Sequence, residues 1–248
     1  MHNQYQNCYR DFPEYYDLLY QRYLKSIPTF VELVSSHTPS ERAILDLAAG
    51  TGEVSIPLIE NGYEVTSLDG SQGMLEQLRQ KAETKGLRAD TTVQRLESLS
   101  LDSHYDTVCI RQAINYYMGM KALTGGLRQI ATVLKPTGTF IFNAPNFLEN
   151  AKKYEDSEHR YEEGSKKAVV LERNLLEDRV LTHQQDAMIW SDSEPVIHLK
   201  EENVFYMFTK EEFEQALTEA GFSQITFLSS NGEPYQKDDK TIYCIAQI

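Results

Sequence analysis

At 248 residues the chain has room for one large α/β domain, or one domain carrying a sizeable insertion, and not for three independent ones. Hydrophobic residues at 41% and charged residues at 25% match an ordinary globular chain and exclude overall disorder. A formal charge of −13, with 24 Lys and Arg scattered among 37 acids, repels phosphate backbones and anionic membranes, so neither a nucleic acid nor a membrane is an expected partner.

No apolar stretch approaches the roughly 20 residues of a membrane-spanning helix. The start, MHNQYQNCYRDFPEYY, lacks the basic and apolar segments of a signal peptide, so the expected location is the cytoplasm. Cys8, Cys109 and Cys244 lie far apart without a C-x-x-C pair, and no two histidines share a ligand spacing, so no metal is implied.

In chain order, Tyr9, Tyr15, Tyr16, Leu19, Tyr20, Tyr23 and Leu24 recur near every third or fourth position, which predicts a leading amphipathic helix. Pro28 opens a second helix that ends at the break over 37–40. Residues 43–47 read as a buried strand, 48–52 as a tight turn and 53–61 as a helix stopped by Gly62. A strand over 63–68, a helix over 71–85 and strands over 91–94 and 105–110 follow. A helix over 121–134, a turn at Lys135-Pro136-Thr137-Gly138 and a strand over 139–143 complete the rhythm. Strands alternating with helices in this way predict a doubly wound, mostly parallel sheet.

The rhythm changes after Phe147. Residues 166–173, 179–190 and 195–207 are β-forming with polar alternation, separated by turns at 174–178 and 191–194. The charged stretch 149–167 reads as a solvated, mobile surface segment. Thr209 and Glu212 form a capping box for a helix over 210–220 ended by Gly221, and strands over 224–229 and 241–247 close the chain. The expected organisation is one domain built from 1–146 and 209–248, interrupted by an antiparallel β insertion at 147–208 that serves as a lid or a homodimer contact. Trp190, Phe205, Tyr206 and Phe208 are expected in the core of that insertion.

A glycine turn between a strand and a helix lets backbone amides approach a ligand. Here it follows Asp46-Leu47-Ala48-Ala49, and the next strand ends in Asp69, placed to accept hydrogen bonds from the ribose hydroxyls of an adenosine. A dinucleotide turn needs a third glycine, and Ser55 stands there instead. Asp46, four residues before Gly50, would repel a pyrophosphate and attract an ammonium group. The pattern favours a ligand with an amino-acid tail over a nicotinamide dinucleotide.

These residues resemble the class I S-adenosylmethionine-dependent methyltransferases, strongly over 41–146 and by element pattern alone over 209–248. The resemblance implies a Rossmann-like, seven-stranded, mostly parallel sheet whose last strand is antiparallel. It assigns Asp46, Ala48, Gly50, Thr51 and Gly52 to the amino-acid end of S-adenosylmethionine and Asp69 to the ribose. Gly70, Ser71 and Met74 fall on the family's segment after the second strand, where a Met packs on adenine. Leu96 and Glu97 fall at the adenine edge, with Glu97 taking the amino group. Arg111 falls beneath the cofactor, with its head expected to point away from a sulfonium.

Within the family the motifs look most like glycine N-methyltransferases and amino-sugar N-methyltransferases. The glycine enzymes carry Arg-Asn-Tyr after the fifth strand for the substrate carboxylate, whereas this chain has Pro145-Asn146-Phe147, so glycine is not the expected acceptor. The implied activity is transfer of a methyl group to nitrogen or oxygen of a small soluble molecule by in-line displacement. The alternative is a cofactor-binding regulatory or interaction protein without turnover. Tyr16, Tyr20, Asn115, Tyr116 and Asn143 are the candidates for the acceptor side. His183 and His198 are candidate bases, with exposed strand histidines the expected reading.

Overall fold

A computed structural model describes residues 12–39, 42–102, 104–150 and 156–248, with the side chains of 149 and 150 left aside. The readings made for Cys8, Tyr9 and Ser40 lie outside these residues.

Seven strands form the main sheet: β1 Ala43–Leu47, β2 Glu64–Asp69, β3 Asp90–Val93, β4 Tyr105–Arg111, β5 Leu134–Pro145, and the late pair β10 Ser223–Leu228 and β11 Thr241–Gln247. Their spatial order is β10-β11-β5-β4-β1-β2-β3. Only β11 runs against its neighbours, inserted between β5 and β10. The central strands are apolar on both sides because helices cover both faces. On one face Leu45, Val108, Phe140 and Phe142 pack with Leu127, Ile130, Phe213 and Leu217 of helices Met120–Val133 and Lys210–Ala220. On the other, Ile44, Val65, Ile141 and Tyr243 pack with Phe30, Val34 and Leu58 of helices Ile27–Ser36 and Ser55–Glu60. Cys109 and Cys244 are buried free thiols in these strands. No helix of the described residues is long and apolar enough to cross a membrane.

A second sheet, antiparallel throughout, consists of β6 Ser157–Glu163, β7 Lys166–Glu177, β8 Val180–Trp190 and β9 Ile197–Tyr206 in that order. Its inner face buries Ala168, Val170, Ala187, Ile189 and Leu199 against Tyr15, Leu18, Leu19 and Tyr20 of the N-terminal segment.

Several sequence expectations need correction. The leading segment is a 3-10 turn at Pro13–Tyr15 and two short helices, Tyr16–Leu19 and Gln21–Leu24, broken at Tyr20. Tyr20 leaves helical geometry where its hydroxyl reaches Glu201 on β9. Strand β6 occupies part of the stretch expected to be a mobile surface. Its charged residues Glu158, Arg160 and Glu162 point to solvent while Ser157, His159 and Tyr161 are half-buried on the other side. The expected turn at 135–138 is an irregularity within β5, with Thr137 at φ +66° and a register shift against β4. Strand β7 continues through Asn174, so the hairpin turns at Asp178 and Arg179 rather than over 174–178. Phe208 belongs to the core of the main sheet, not to the insertion.

Candidate active site

The turn after β1 takes three left-handed conformations in five residues: Ala48 at φ +58°, Gly50 at +56° and Gly52 at +92°. Glycine is required at the last of these, since an added Cβ would stand 2.6 Å from Leu78 Cγ. Asp69, at the carboxyl end of β2, fastens this turn to the loop that follows. Its Oδ2 accepts from the Gly50 amide at 2.9 Å and its Oδ1 from the Ser71 amide at 2.7 Å. Burial raises the Asp69 pKa, and those backbone bonds oppose the rise. Ser71 in turn caps helix Gln72–Thr84, its hydroxyl accepting from the Met74 amide.

Asp46 lies under the turn, 1% exposed. It accepts from the Ser55 hydroxyl at 2.6 Å and the Cys109 thiol at 3.7 Å, and Ser67 donates to Ser55 at 2.7 Å. Ser55, in the place of a dinucleotide turn's third glycine, is therefore a partner for this carboxylate. Burial pushes the Asp46 pKa up to about 6. On the outer side of the turn Asp17, Thr51 and Lys81 meet: Thr51 donates to Asp17 at 2.6 Å, and Lys81 donates to Asp17 at 2.6 Å and to Thr51 at 2.7 Å. Glu53 joins them 3.6 Å from Lys81, with a pKa raised to about 7 chiefly by burial.

A continuous cavity of about 660 Å³ opens above these groups and reaches the second sheet. That is the size of a small-molecule site. Of the residues assigned to the cofactor, Asp46, Ala48, Gly50, Asp69, Gly70 and Ser71 line it, as do Leu96, Glu97 and Arg111. Thr51, Gly52 and Met74 do not: Thr51 turns toward Asp17 and Lys81, Gly52 sits against Leu78 and Ile56, and Met74 is fully buried. The Arg111 guanidinium is directed at the Tyr23 carbonyl and at the Ser26 hydroxyl, the latter at 3.0 Å.

Among the acceptor-side candidates, Tyr16, Tyr20, Asn115 and Tyr116 line the cavity. Tyr16 and Tyr20 stack at 4.6 Å, and Tyr20 donates to Glu201 at 3.0 Å. Asn115 donates from Nδ2 to the Tyr206 carbonyl at 2.8 Å while its buried Oδ1 has no partner. The Tyr116 ring packs on Phe205 at 4.9 Å. Asn143 is fully buried and does not reach the cavity. Its Oδ1 accepts from the Gln112 amide at 2.9 Å, steadying a residue held at φ +55°. Asn146 is likewise occupied, donating to Tyr235 and to the carbonyls of Lys237 and Asp239, so Pro145 and Phe147 present an apolar wall there.

The far wall escaped the sequence reading. Asn174, His183 and Asn203 are cross-strand partners on β7, β8 and β9 and all line the cavity. His183, expected to be exposed, is 6% exposed, whereas His198 does sit at the surface beside Asp186. Burial, with Arg22 nearby, lowers the His183 pKa to about 4. The available signal was the even-numbered run Glu172, Asn174 on β7, which alternation places on one face.

Residues 44–138 match the family described as a methyltransferase domain. The glycine/sarcosine N-methyltransferase of Aphanothece halophytica is 27% identical over 246 residues, covering 96% of this chain and 89% of its own. The dTDP-3-amino-3,6-dideoxy-alpha-D-glucopyranose N,N-dimethyltransferase of Streptomyces fradiae is 24% identical over 218 residues, covering 86% of this chain and 84% of its own. An S-adenosylmethionine-dependent methyltransferase from Clostridium acetobutylicum shares the fold, with a TM-score of 0.80 over 98% of this chain and 99% of its own at 20% identity.

Proposed function

We propose that this chain is an S-adenosylmethionine-dependent methyltransferase that methylates nitrogen or oxygen of a small polar molecule held between the carboxyl ends of β1, β2 and β4 and the inner face of the second sheet. The observation that carries this reading is the Asp69 carboxylate, which binds both backbone loops at the cavity floor and keeps lone pairs for two ribose hydroxyls.

The cavity's groups fit the cofactor piece by piece. The buried Asp46, on the cavity lining under the glycine turn, suits the cationic end of its amino acid. Leu96 and Glu97 offer the adenine an apolar side and a hydrogen-bond acceptor. Bound there, the cofactor supplies a methyl group on a sulfonium. The protein's part is then to align the acceptor with that methyl and keep water out, since charge disperses in the transfer and no strong acid or base is required. Tyr16, Tyr116 and Phe205 supply the apolar walls that exclude water. Strands β7, β8 and β9 act in this reading as a wall of the acceptor site.

Pro145 and Phe147 offer no cation at that point of the wall, and the Arg22 and Arg111 guanidiniums on the cavity lining are engaged by Glu172 and by the Tyr23 carbonyl, which argues against glycine and for an acceptor such as the amino sugar in the Streptomyces relative's name. The test is calorimetry with S-adenosylhomocysteine, expected to bind at micromolar or tighter affinity, followed by labelled methyl transfer to a panel of amines, amino sugars and phenols. Binding of NADH in place of S-adenosylhomocysteine would overturn the reading, and binding without any labelled product would reduce the chain to a cofactor-binding protein.

A further inference from the structure

The far wall of the cavity has a donor and acceptor arrangement that the chemistry at the glycine turn does not use. Asn174, His183 and Asn203 lie in one cross-strand row of β7, β8 and β9. In that row His183 Nδ1 stands 2.8 Å from Asn174 Oδ1, which fixes the proton on Nδ1, because an amide oxygen can only accept. His183 Nε2 is therefore a lone pair. It is buried and has no partner, on a residue 6% exposed that lines the cavity. Asn203 donates from Nδ2 to Glu201 Oε1 at 2.8 Å, so its own oxygen too is left to accept.

The next row along the same face is Glu172, Gln185 and Glu201, all at most 4% exposed. Arg22 is paired with Glu172, and Tyr20 and Asn203 donate hydrogen bonds to Glu201. On the cavity side His183 Nε2 and Asn203 Oδ1 are hydrogen-bond acceptors. Such acceptors gain by receiving N–H or O–H groups.

We infer that the Asn174, His183 and Asn203 row is the acceptor-recognition surface of this enzyme, and that it selects a hydroxyl-bearing amine by taking its O–H or N–H groups on His183 Nε2 and Asn203 Oδ1. This rests on the cavity being the methyl-transfer site. His183 serves as a neutral hydrogen-bond acceptor that fixes the acceptor molecule. An unsatisfied lone pair in a buried site penalises a ligand that lacks the matching donor more than the bond itself rewards one that has it, and selectivity follows from that asymmetry.

The experiment uses the full chain saturated with S-adenosylhomocysteine and two amines as probes, glucosamine and cyclohexylamine, which share a ring amine and differ in hydroxyl groups. Glucosamine is expected to bind at least about tenfold tighter. His183→Leu is expected to bring the two amines within about twofold of each other. His183→Gln, which keeps an acceptor oxygen, and Asn203→Ala should each retain part of the preference and cover the case in which the leucine variant fails to fold. Long-range 15N NMR should show a neutral His183 protonated on Nδ1, with the Nε2 resonance moving on addition of glucosamine and not of cyclohexylamine. Equal affinity for the amines, or a preference that survives His183→Leu, overturns the inference. Failure of S-adenosylhomocysteine to bind would instead overturn the methyltransferase site itself, and the two failures are read in separate titrations.

Discussion

β1 buries four of its five residues, Ile44 to Leu47, whereas β8 alternates from end to end, burying Leu181, His183, Gln185, Ala187 and Ile189 and leaving the residues between them partly open. The first strand is covered by helices on both faces, so its one polar side chain, Asp46, is held by its neighbours Ser55 and Cys109. The second is covered on one face, and that face mixes an apolar end under the N-terminal tyrosines with two polar rows. The proposed cofactor contacts at the main sheet are therefore concentrated in a short turn and one acid. The proposed acceptor contacts at the second sheet are spread across strands, one residue from each. The first arrangement fails when backbone geometry is disturbed, and the second when a side-chain partner is removed.

The largest expected effect tests the turn. Gly52→Ala must place a Cβ at φ +92° and 2.6 Å from Leu78 Cγ, with Ile56 Cδ1 at 3.1 Å. Left-handed strain and overpacking together should cost about 3–4 kcal/mol in unfolding free energy, read by urea denaturation. A loss below about 1 kcal/mol would mean that the turn is far more pliant than its geometry shows. Asp69→Ala comes next: removal of the carboxylate that fastens the Gly50 and Ser71 amides should weaken S-adenosylhomocysteine at least about 100-fold, or roughly 2.7 kcal/mol. Unchanged binding would place the ribose elsewhere.

Asp46 gives a pH dependence of known sign. Its folded pKa of about 6 exceeds the ordinary carboxylate value of 3.8, so the folded state holds the proton more tightly. Its contribution to stability is present in full below about pH 4 and is lost as pH rises through 6, a swing of up to about 3 kcal/mol. Asp46→Asn should flatten this part of the cofactor-free stability profile between pH 4 and 7. A profile with the same slope in both proteins would assign the titration to another group, Glu53 being the first to examine since its pKa also rises, to about 7.

What was legible in the sequence follows the same division. The glycine turn, Asp69, the Ser71 cap and the Thr209 capping box are each encoded within a few residues, and strand ends at Ala43, Leu47, Thr241 and Gln247 coincide with expectation. The acceptor wall is encoded by register, which joins Asn174 to His183 and His183 to Asn203 across long intervals of chain. Ending β7 before Asn174 moved that residue into a turn and left His183 looking solitary. The leading helix was misread because its period of three to four is real, yet Tyr20 is recruited by a buried acid on a strand 181 residues away. Met74 and Asn143 were placed correctly on their elements but face the core, a matter of side-chain direction that motif matching does not resolve.

Tyr20→Phe tests that recruitment directly. The change keeps the ring stacked on Tyr16 and deletes the hydroxyl that donates to the buried Glu201 carboxylate. A loss of about 1–2 kcal/mol in unfolding free energy is expected, with faster amide exchange concentrated in residues 16–24. Uniform destabilisation without that local signature would show that the N-terminal segment is held by its apolar contacts alone.

The smallest effect lies at the adenine edge and separates two uses of one residue. Glu97 is half exposed and shares hydrogen bonds at 3.3 and 3.4 Å with Arg95, itself more exposed still. Such a surface pair contributes little on its own. If the Glu97 carboxylate also receives the adenine amino group, Glu97→Gln keeps an oxygen to accept it and should change S-adenosylhomocysteine affinity less than twofold, while Glu97→Leu, which keeps none, should weaken it about fivefold. Equal affinities in all three proteins would leave Glu97 as a partner of Arg95 alone. Base recognition would then fall to the backbone around Leu96, and a local motif would have supplied the position of the adenine edge without supplying its chemistry.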